Sequence, residues 1–265
     1  MVKHFYIAPA MMKVHITHRT YVTKAIITMA FLCCTYLTVN AQAIDKGFPL
    51  GGWYILSLKG NFATRWSFFA ETQFRAWKPN KAFFYHEYKG GITYALNKTI
   101  TSSLGVGHYT TYPIVGDESF ASPVTSQELR VWQQFNLSNS LDRLKLEHRF
   151  RIEQRYFTTQ YRNRFRYRIN ATVPINKTEL VPNTFFVSAY NEVFLNNEPS
   201  HFERNRLYIG TGYEFNDQVT LMMGWLNQYD YTIRRAQSKD FIQVNLLLSL
   251  SNWSKDRERH PAPVD

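Results

Sequence analysis

The stretch from Leu144 to Val173 constrains the fold of this chain more than any other, because its residues alternate strictly in polarity. Every second residue from Lys145 to Arg155 is charged, and arginine occupies every second position from Arg162 to Arg168. A period of two over about a dozen residues is typical of a β-strand, since successive side chains of a strand point to opposite faces. A helix would distribute these charges around its circumference. The stretch therefore predicts two long, consecutive strands.

Alternating segments fill the rest of the chain beyond its N-terminal region. They predict eleven strands, over residues 52–61, 65–77, 83–96, 100–112, 126–137, 144–155, 162–173, 184–195, 204–215, 219–229 and 239–250. An ordinary globular strand has about five or six residues, whereas a tilted strand needs roughly 9–11 to cross a bilayer. Tight turns on one side and longer connections at 113–125, 196–203 and 230–238 on the other are typical of an outer-membrane barrel. The long connection at 174–183 breaks this pattern.

We therefore predict an all-β fold, an antiparallel up-and-down transmembrane β-barrel with a charged, Arg/Glu-rich lumen. A closed sheet satisfies every backbone group in lipid and leaves no edge strand. Because bacterial single-chain barrels have an even strand count, we adjust eleven segments to about 12 strands. The additional strand would lie at Asp45–Gly51, or one segment would lie outside the wall. A soluble β-sandwich is the alternative fold.

The outward face of this barrel should be apolar. Eight residues are predicted to touch lipid: Phe150, Ile152, Tyr167, Ile169, Leu207, Ile209, Val244 and Leu246.

Residues 1–43 have the three-part layout of a secretory signal peptide. A basic region precedes the apolar run Ala25–Val39, and small residues suited to cleavage follow at Ala41 and Ala43. The apolar run is shorter than the roughly 20 residues of a spanning helix, which argues against a membrane anchor. We predict removal of residues 1–43, a barrel over 44–251, a polar C-terminal tail over 252–265 and location in the bacterial outer membrane.

Cleavage would remove both cysteines, Cys33 and Cys34, so a disulfide-stapled scaffold is excluded. The net charge of +11 would fall to about +7, because four basic residues leave with the signal. Export and interleaved acidic residues argue against a nucleic-acid partner. The sequence has no His, Cys or carboxylate spacing of the usual metal-binding kinds, so we predict no metal and no cofactor.

The charged faces of the central strands and their neighbours supply the candidate site residues. Those predicted to face the lumen are Glu128, Arg130, Lys145, Glu147, Arg149, Arg151, Glu153, Arg155, Arg162, Arg164, Arg166, Arg168, Glu192, Arg204, Arg206 and Glu214. One hypothesis is a cross-strand ionic lattice that fills a narrow lumen. The other is a small anion-preferring channel for acidic solutes, because rings of arginine select anions and arginine is in surplus.

A hydrolase site on the outer wall is a further alternative, since some outer-membrane barrels carry a Ser/His pair there. His86 and His148 fall on apolar faces, and His108 lies close to a rim. No nucleophile elbow accompanies any of them, so we predict no catalytic residues and no enzymatic activity.

Five runs carry a resemblance to a known family: QELRVWQQ from Gln127, HRFRIEQR from His148, RFRYR from Arg164, NEVF from Asn191 and RNRL from Arg204. In combination they resemble the bacterial family named domain of unknown function 2490. The similarity extends from about residue 53 to 250. It implies an outer-membrane β-barrel of Gram-negative bacteria with no established activity. The implied partners are outer-membrane lipid and, for the channel hypothesis, small anionic solutes.

Overall fold

In the computed structural model of the chain, residues 48–250 are described. The predicted signal peptide over 1–43 and the predicted tail over 252–265 lie outside this part and stay predictions. Residues 48–50 are not in a strand, so the additional strand proposed for Asp45–Gly51 is not found where the structure describes that segment. Over residues 48–250 the structure has no helix long and apolar enough to cross a membrane.

The described residues form eleven strands, and each matches one alternating segment of the sequence. Their bounds are β1 Gly51–Asn61, β2 Trp66–Lys78, β3 Lys81–Ala95, β4 Ile100–Thr111, β5 Ser126–Leu141, β6 Leu144–Phe157, β7 Tyr161–Pro174, β8 Thr184–Asn196, β9 Phe202–Glu214, β10 Val219–Thr232 and β11 Arg235–Leu250. The prediction of an all-β chain is thereby confirmed for this part of the chain.

The eleven strands pair in sequence order and close into one barrel. All neighbours are antiparallel except β1 and β11, which run parallel from the pair Gly51–Phe241 to the pair Gly60–Leu250. The wholly antiparallel prediction is therefore wrong at one seam, and the described strands number eleven, not about 12. The even-count rule assumes antiparallel closure, but with an odd count the first and last strands point the same way. One closed sheet also replaces the alternative of two packed sheets.

The two rims are named from β1: the first rim is where β1 begins, and the second rim is where it ends. At the second rim, Asn97 and Asn216 each accept hydrogen bonds of 2.8–2.9 Å at Oδ1 from two backbone amides of their own turn. Asn80 and Asp142 occupy two-residue turns with φ of 62° and 54°. Asn and Asp tolerate this left-handed region because their short polar side chains bond locally.

The predicted contrast between short and long connections is only partly present. The first rim has the long connection 112–125, but it also has the two-residue turns 79–80 and 233–234. The sequence placed a long connection at 230–238, whereas β10 and β11 continue to Thr232 and from Arg235. Polar residues in these strand ends pair between β10 and β11. The alternation of apolar residues that predicts the strands therefore stops before the strands end.

Side chains alternate between the interior of the barrel and its outer wall. Six of the eight residues predicted to touch lipid are exposed on the outer wall, and two are half-buried there, Val244 and Leu246. Their sequence neighbours in β6 and β7 are buried in the interior.

Candidate functional site

The charged faces of β5, β6 and β7 meet inside the barrel, and their alternation positions every second side chain there. Of the sixteen residues predicted for the lumen, thirteen are buried, and Lys145, Arg162 and Arg204 are half-buried. The register places Glu153 directly opposite Arg164. It also places Arg168 opposite Glu192 on β8. Directly opposed charges of this kind are the pairs that stabilise a sheet.

Glu153 is the first centre of the interior charges, and its side chain is fully buried. Its carboxylate accepts a hydrogen bond of 2.6 Å from Nη1 of Arg166. Nη1 of Arg164 lies 3.4 Å away, and Nη1 of Arg151 lies 3.7 Å away. Nη1 of Arg130 completes the group at 4.0 Å. One carboxylate therefore offsets part of the positive charge of four guanidinium groups.

Glu192 is the second centre. Arg149 donates to it from Nη2 at 2.6 Å. Arg166 donates from Nε at 3.0 Å and from Nη2 at 3.1 Å, a two-pronged contact that fixes geometry as well as energy. Nη1 of Arg206 lies 3.8 Å from the same carboxylate. Because Arg166 also contacts Glu153, it connects the two centres.

The network continues toward the first rim through Glu128 and Glu203. Glu128 accepts hydrogen bonds from Arg155 at 2.7 and 3.1 Å, and it also pairs with Arg130. Glu203 pairs with Arg164 and lies 3.6 Å from Arg155. We call this connected set the ionic lattice: Glu128, Arg130, Arg149, Arg151, Glu153, Arg155, Arg164, Arg166, Glu192, Glu203 and Arg206.

The remaining predicted residues lie around the ionic lattice. Arg204 pairs with Asp230, and the guanidinium of Arg168 lies 4.9 Å from the ring centroid of Tyr190. Arg162 donates to Gln160 at 2.9 Å. Glu147 and Glu214 are buried closer to the second rim, and Lys145 is half-buried in the same region.

A second charged network lies on the interior faces of β2 and β3, and its residues are not among those predicted from the sequence. Nζ of Lys89 lies 2.6 Å from Glu71 and 2.8 Å from Glu87. Arg75 lies 3.4 Å from Glu87. The signal was present, because all four residues fall on the polar faces of the predicted strands. Their charges are sparser than in β6 and β7, and the sequence does not state which partners the register will join.

The other side of the interior is apolar and aromatic. Eight buried residues of β1 and β8–β11 pack into one cluster, called here the apolar sector: Trp53, Ile55, Phe186, Tyr190, Tyr208, Met222, Leu226 and Phe241. The rings of Tyr190 and Tyr208 stack with centroids 5.0 Å apart. The predicted Arg/Glu-rich lumen therefore describes only part of the interior.

Side chains also pack together at both rims of the barrel. At the second rim, the loop 175–183 brings Leu180 against the apolar sector. Arg143 holds this loop by donating from Nη2 to the carbonyls of Pro174, Ile175 and Lys177 at 2.8, 3.0 and 2.5 Å. At the first rim, the rings of Phe48 and Trp77 meet edge to face with centroids 4.9 Å apart.

The outward histidines His86 and His148 both contact aromatic side chains. Nδ1 of His148 lies 2.9 Å from the hydroxyl of Tyr167. His86 packs among aromatic rings, including Phe120 at 5.7 Å between centroids. Phe120 belongs to the connection 112–125. Asp117 in the same connection accepts a hydrogen bond of 2.5 Å from Lys78 of β2, which lowers the pKa of the Asp117 carboxyl.

A comparison with protein families gives a match to residues 50–239 for the family described as "Protein of unknown function (DUF2490)". The chain belongs to the DUF2490 family. This confirms the resemblance carried by the five sequence runs. No curated protein and no solved structure matches the chain.

Over residues 48–250, the DUF2490 barrel has no group of three or more His, Cys, Asp or Glu side chains placed to hold a metal ion. Its interior charges instead form pairs of opposite sign. Guanidinium groups recognise carboxylates, phosphates and other oxyanions through paired N–H donors. The chemistry that this arrangement supports is therefore anion recognition and ion pairing.

Proposed function

We propose that this DUF2490 chain is an integral β-barrel of the bacterial outer membrane whose interior is closed by the ionic lattice and the apolar sector. The observation that carries the proposal is the sidedness of the strands. Buried charges with partners line the inside, while large apolar side chains are exposed on the outer wall. Apolar exposure around a whole barrel is costly in water but is what lipid requires.

Aromatic residues close to both rims support a membrane setting. Trp66 and Tyr94 pack together at the second rim with centroids 4.8 Å apart. Tyr156 and Tyr161 pack at the first rim with centroids 5.1 Å apart. All four are on the outer wall, where amphipathic rings suit the level of the lipid head groups. Strands of 11–16 residues provide ample length to span a bilayer.

The closed interior argues for a role that does not depend on solute flow. Glu153, Arg149 and Arg168 are each at most 2 % exposed, and loop 175–183 packs against the interior at one rim. A barrel of this kind acts through its outer wall and its rim loops, as a fixed component of the membrane. Outer-membrane lipid is the partner that its outer wall fits.

The second candidate function is a narrow anion-preferring channel. The observation in its favour is the excess of arginine around Glu153 and Glu192, which gives the interior a positive field. Fixed positive charge in a pore attracts anions and excludes cations.

Conductance in planar bilayers separates the two candidates. The purified, refolded protein should insert and protect its strands from protease, yet give no stable current steps under a salt gradient. Steady steps with a reversal potential that indicates anion preference would replace the closed barrel with the channel. Failure to partition into detergent or lipid at all would contradict the membrane setting itself.

A further inference from the structure

The buried side chains of the described residues carry more positive than negative charge. Ten of them are Arg or Lys and seven are Glu. An ion taken out of water needs a partner of opposite sign, because its desolvation is otherwise uncompensated. The interior of the barrel therefore favours additional negative charge.

The surplus is concentrated where β6 and β7 pair. Arg149 lies directly opposite Arg168, and Arg151 lies directly opposite Arg166. Opposed residues on one face of a sheet have Cβ atoms roughly 5 Å apart, and like charges placed so repel. We call these four residues the arginine quartet. None of them is more than 5 % exposed.

The two carboxylates beside the arginine quartet are shared with arginines outside it. Arg149 and Arg166 contact Glu192, which also lies 3.8 Å from Arg206. Arg151 and Arg166 contact Glu153, which Arg164 also approaches at 3.4 Å. Glu153 and Glu192 are thus shared among these five arginines, of which Arg164 also pairs with Glu203.

We propose that the arginine quartet binds a small inorganic anion, of chloride to phosphate size, as a resident part of the ionic lattice. The inference rests on the proposed closed interior, since an anion in an open path would pass through instead of staying. Planar guanidinium groups present several N–H donors to one anion, which suits an oxyanion or a halide held between opposed strands. The anion would offset the repulsion between Arg149 and Arg168.

Thermal unfolding of the full barrel in detergent tests this at constant ionic strength. The protein is first exchanged into sodium gluconate, whose anion is larger than chloride or phosphate, and then titrated with sodium chloride or with sodium phosphate. We expect a saturable rise in unfolding temperature, about 3–5 °C at a tenfold excess over the dissociation constant. The anion that acts at the lower concentration identifies the preferred class.

Two variants on β7 locate the site. Arg168→Gln should abolish the rise, because it removes one member of the arginine quartet. Arg162→Gln removes the same charge from the same strand at the first rim and should retain the rise. Equal loss in both variants would indicate general electrostatics, and retention in Arg168→Gln would overturn the assignment.

The parent protein decides the question even if Arg168→Gln does not fold. With the parent protein, the chloride NMR line should broaden over the same chloride concentrations that raise the unfolding temperature. Phosphate should also raise the unfolding temperature of the parent. Coincident unfolding in gluconate, chloride and phosphate would overturn the resident anion while leaving a non-conducting barrel intact. A conducting parent would overturn the proposed function instead.

Discussion

The ionic lattice and the apolar sector fill the same lumen by opposite means. Glu153 in the first and Trp53 in the second are both fully buried. The apolar sector gains stability in proportion to the area that it removes from water, whatever the identity of each neighbour. The ionic lattice gains only if each charge keeps its partners, since a buried ion without one is strongly destabilising. Glu153 and Trp53 are equally buried, but the two regions should differ in their tolerance to substitution.

The two regions meet at Trp53. The guanidinium of Arg75 lies 3.6 Å from its ring centroid, and that of Arg206 lies 4.7 Å away. The indole Nε1 donates to Gln73 at 2.9 Å. A large ring that also accepts cations on its faces allows charged and apolar side chains to adjoin without a layer of water.

The largest effect is expected from removing a centre of the ionic lattice. Glu153→Gln takes the negative charge away from Arg166, Arg164 and Arg151 together, so the free energy of unfolding should fall by about 3–5 kcal/mol. Urea unfolding of the refolded barrel in detergent measures it. Glu179→Gln in the exposed part of loop 175–183 is the matched control and should change little. Equal stability of the two variants would mean that water reaches the lattice.

The apolar sector should respond by about 2–4 kcal/mol to Leu226→Ala, through lost burial and the cavity left behind. The same urea titration applies. Because Leu226 and Glu153 lie in different regions, the double variant should show the sum of the single effects to within about 0.5 kcal/mol. A larger deviation would show that the two regions are energetically coupled.

The outer wall should not distinguish the two regions. Ile169→Arg on β7 and Ile209→Arg on β9 each place a charge on an exposed apolar position, and each should cost roughly 2–4 kcal/mol in a bilayer. Unfolding from lipid vesicles measures the cost. Phe62→Arg, in the turn after β1, is the control and should be tolerated. If none of the three arginine substitutions lowered the free energy of unfolding, that result would argue against a lipid-facing wall.

The smallest global effect is expected at the second rim. Arg143→Ala removes two hydrogen bonds to loop 175–183 and one to the preceding Pro174, so backbone amides of the loop should exchange with solvent about tenfold faster while global stability stays almost unchanged. Hydrogen exchange read by mass spectrometry reports this. Arg65→Ala, at the same rim, removes only a contact of 3.4 Å to Tyr94 and is the control. Unaltered exchange in loop 175–183 would show that Leu180 alone holds it.

The positions of the strands could be predicted from the sequence because alternation is a local property. The charged faces of β6 and β7 were predictable for the same reason. The ion-pair partners could not be predicted, since the contact of Arg166 with Glu192 depends on how far β7 and β8 are shifted along each other. No single strand encodes that stagger.

The apolar sector was hidden for a different reason. Strand β8 has apolar residues on both faces, with Phe186 and Phe194 inside and Phe185 and Val187 outside. Parity then gives no indication of which face is interior. The parallel seam was also out of reach, because an assumed even count excluded it in advance.

The parallel pairing of β1 with β11 has a consequence for the path of the polypeptide. An odd number of crossings means that the chain enters the wall at one rim and leaves it at the opposite rim. Gly51 at the start of β1 therefore lies at the first rim and Leu250 at the end of β11 lies at the second rim, so in a barrel that separates two compartments these two residues are on different sides. Labels attached at these two residues would therefore report from opposite sides of one molecule, and the barrel would hold the two labels at a fixed separation.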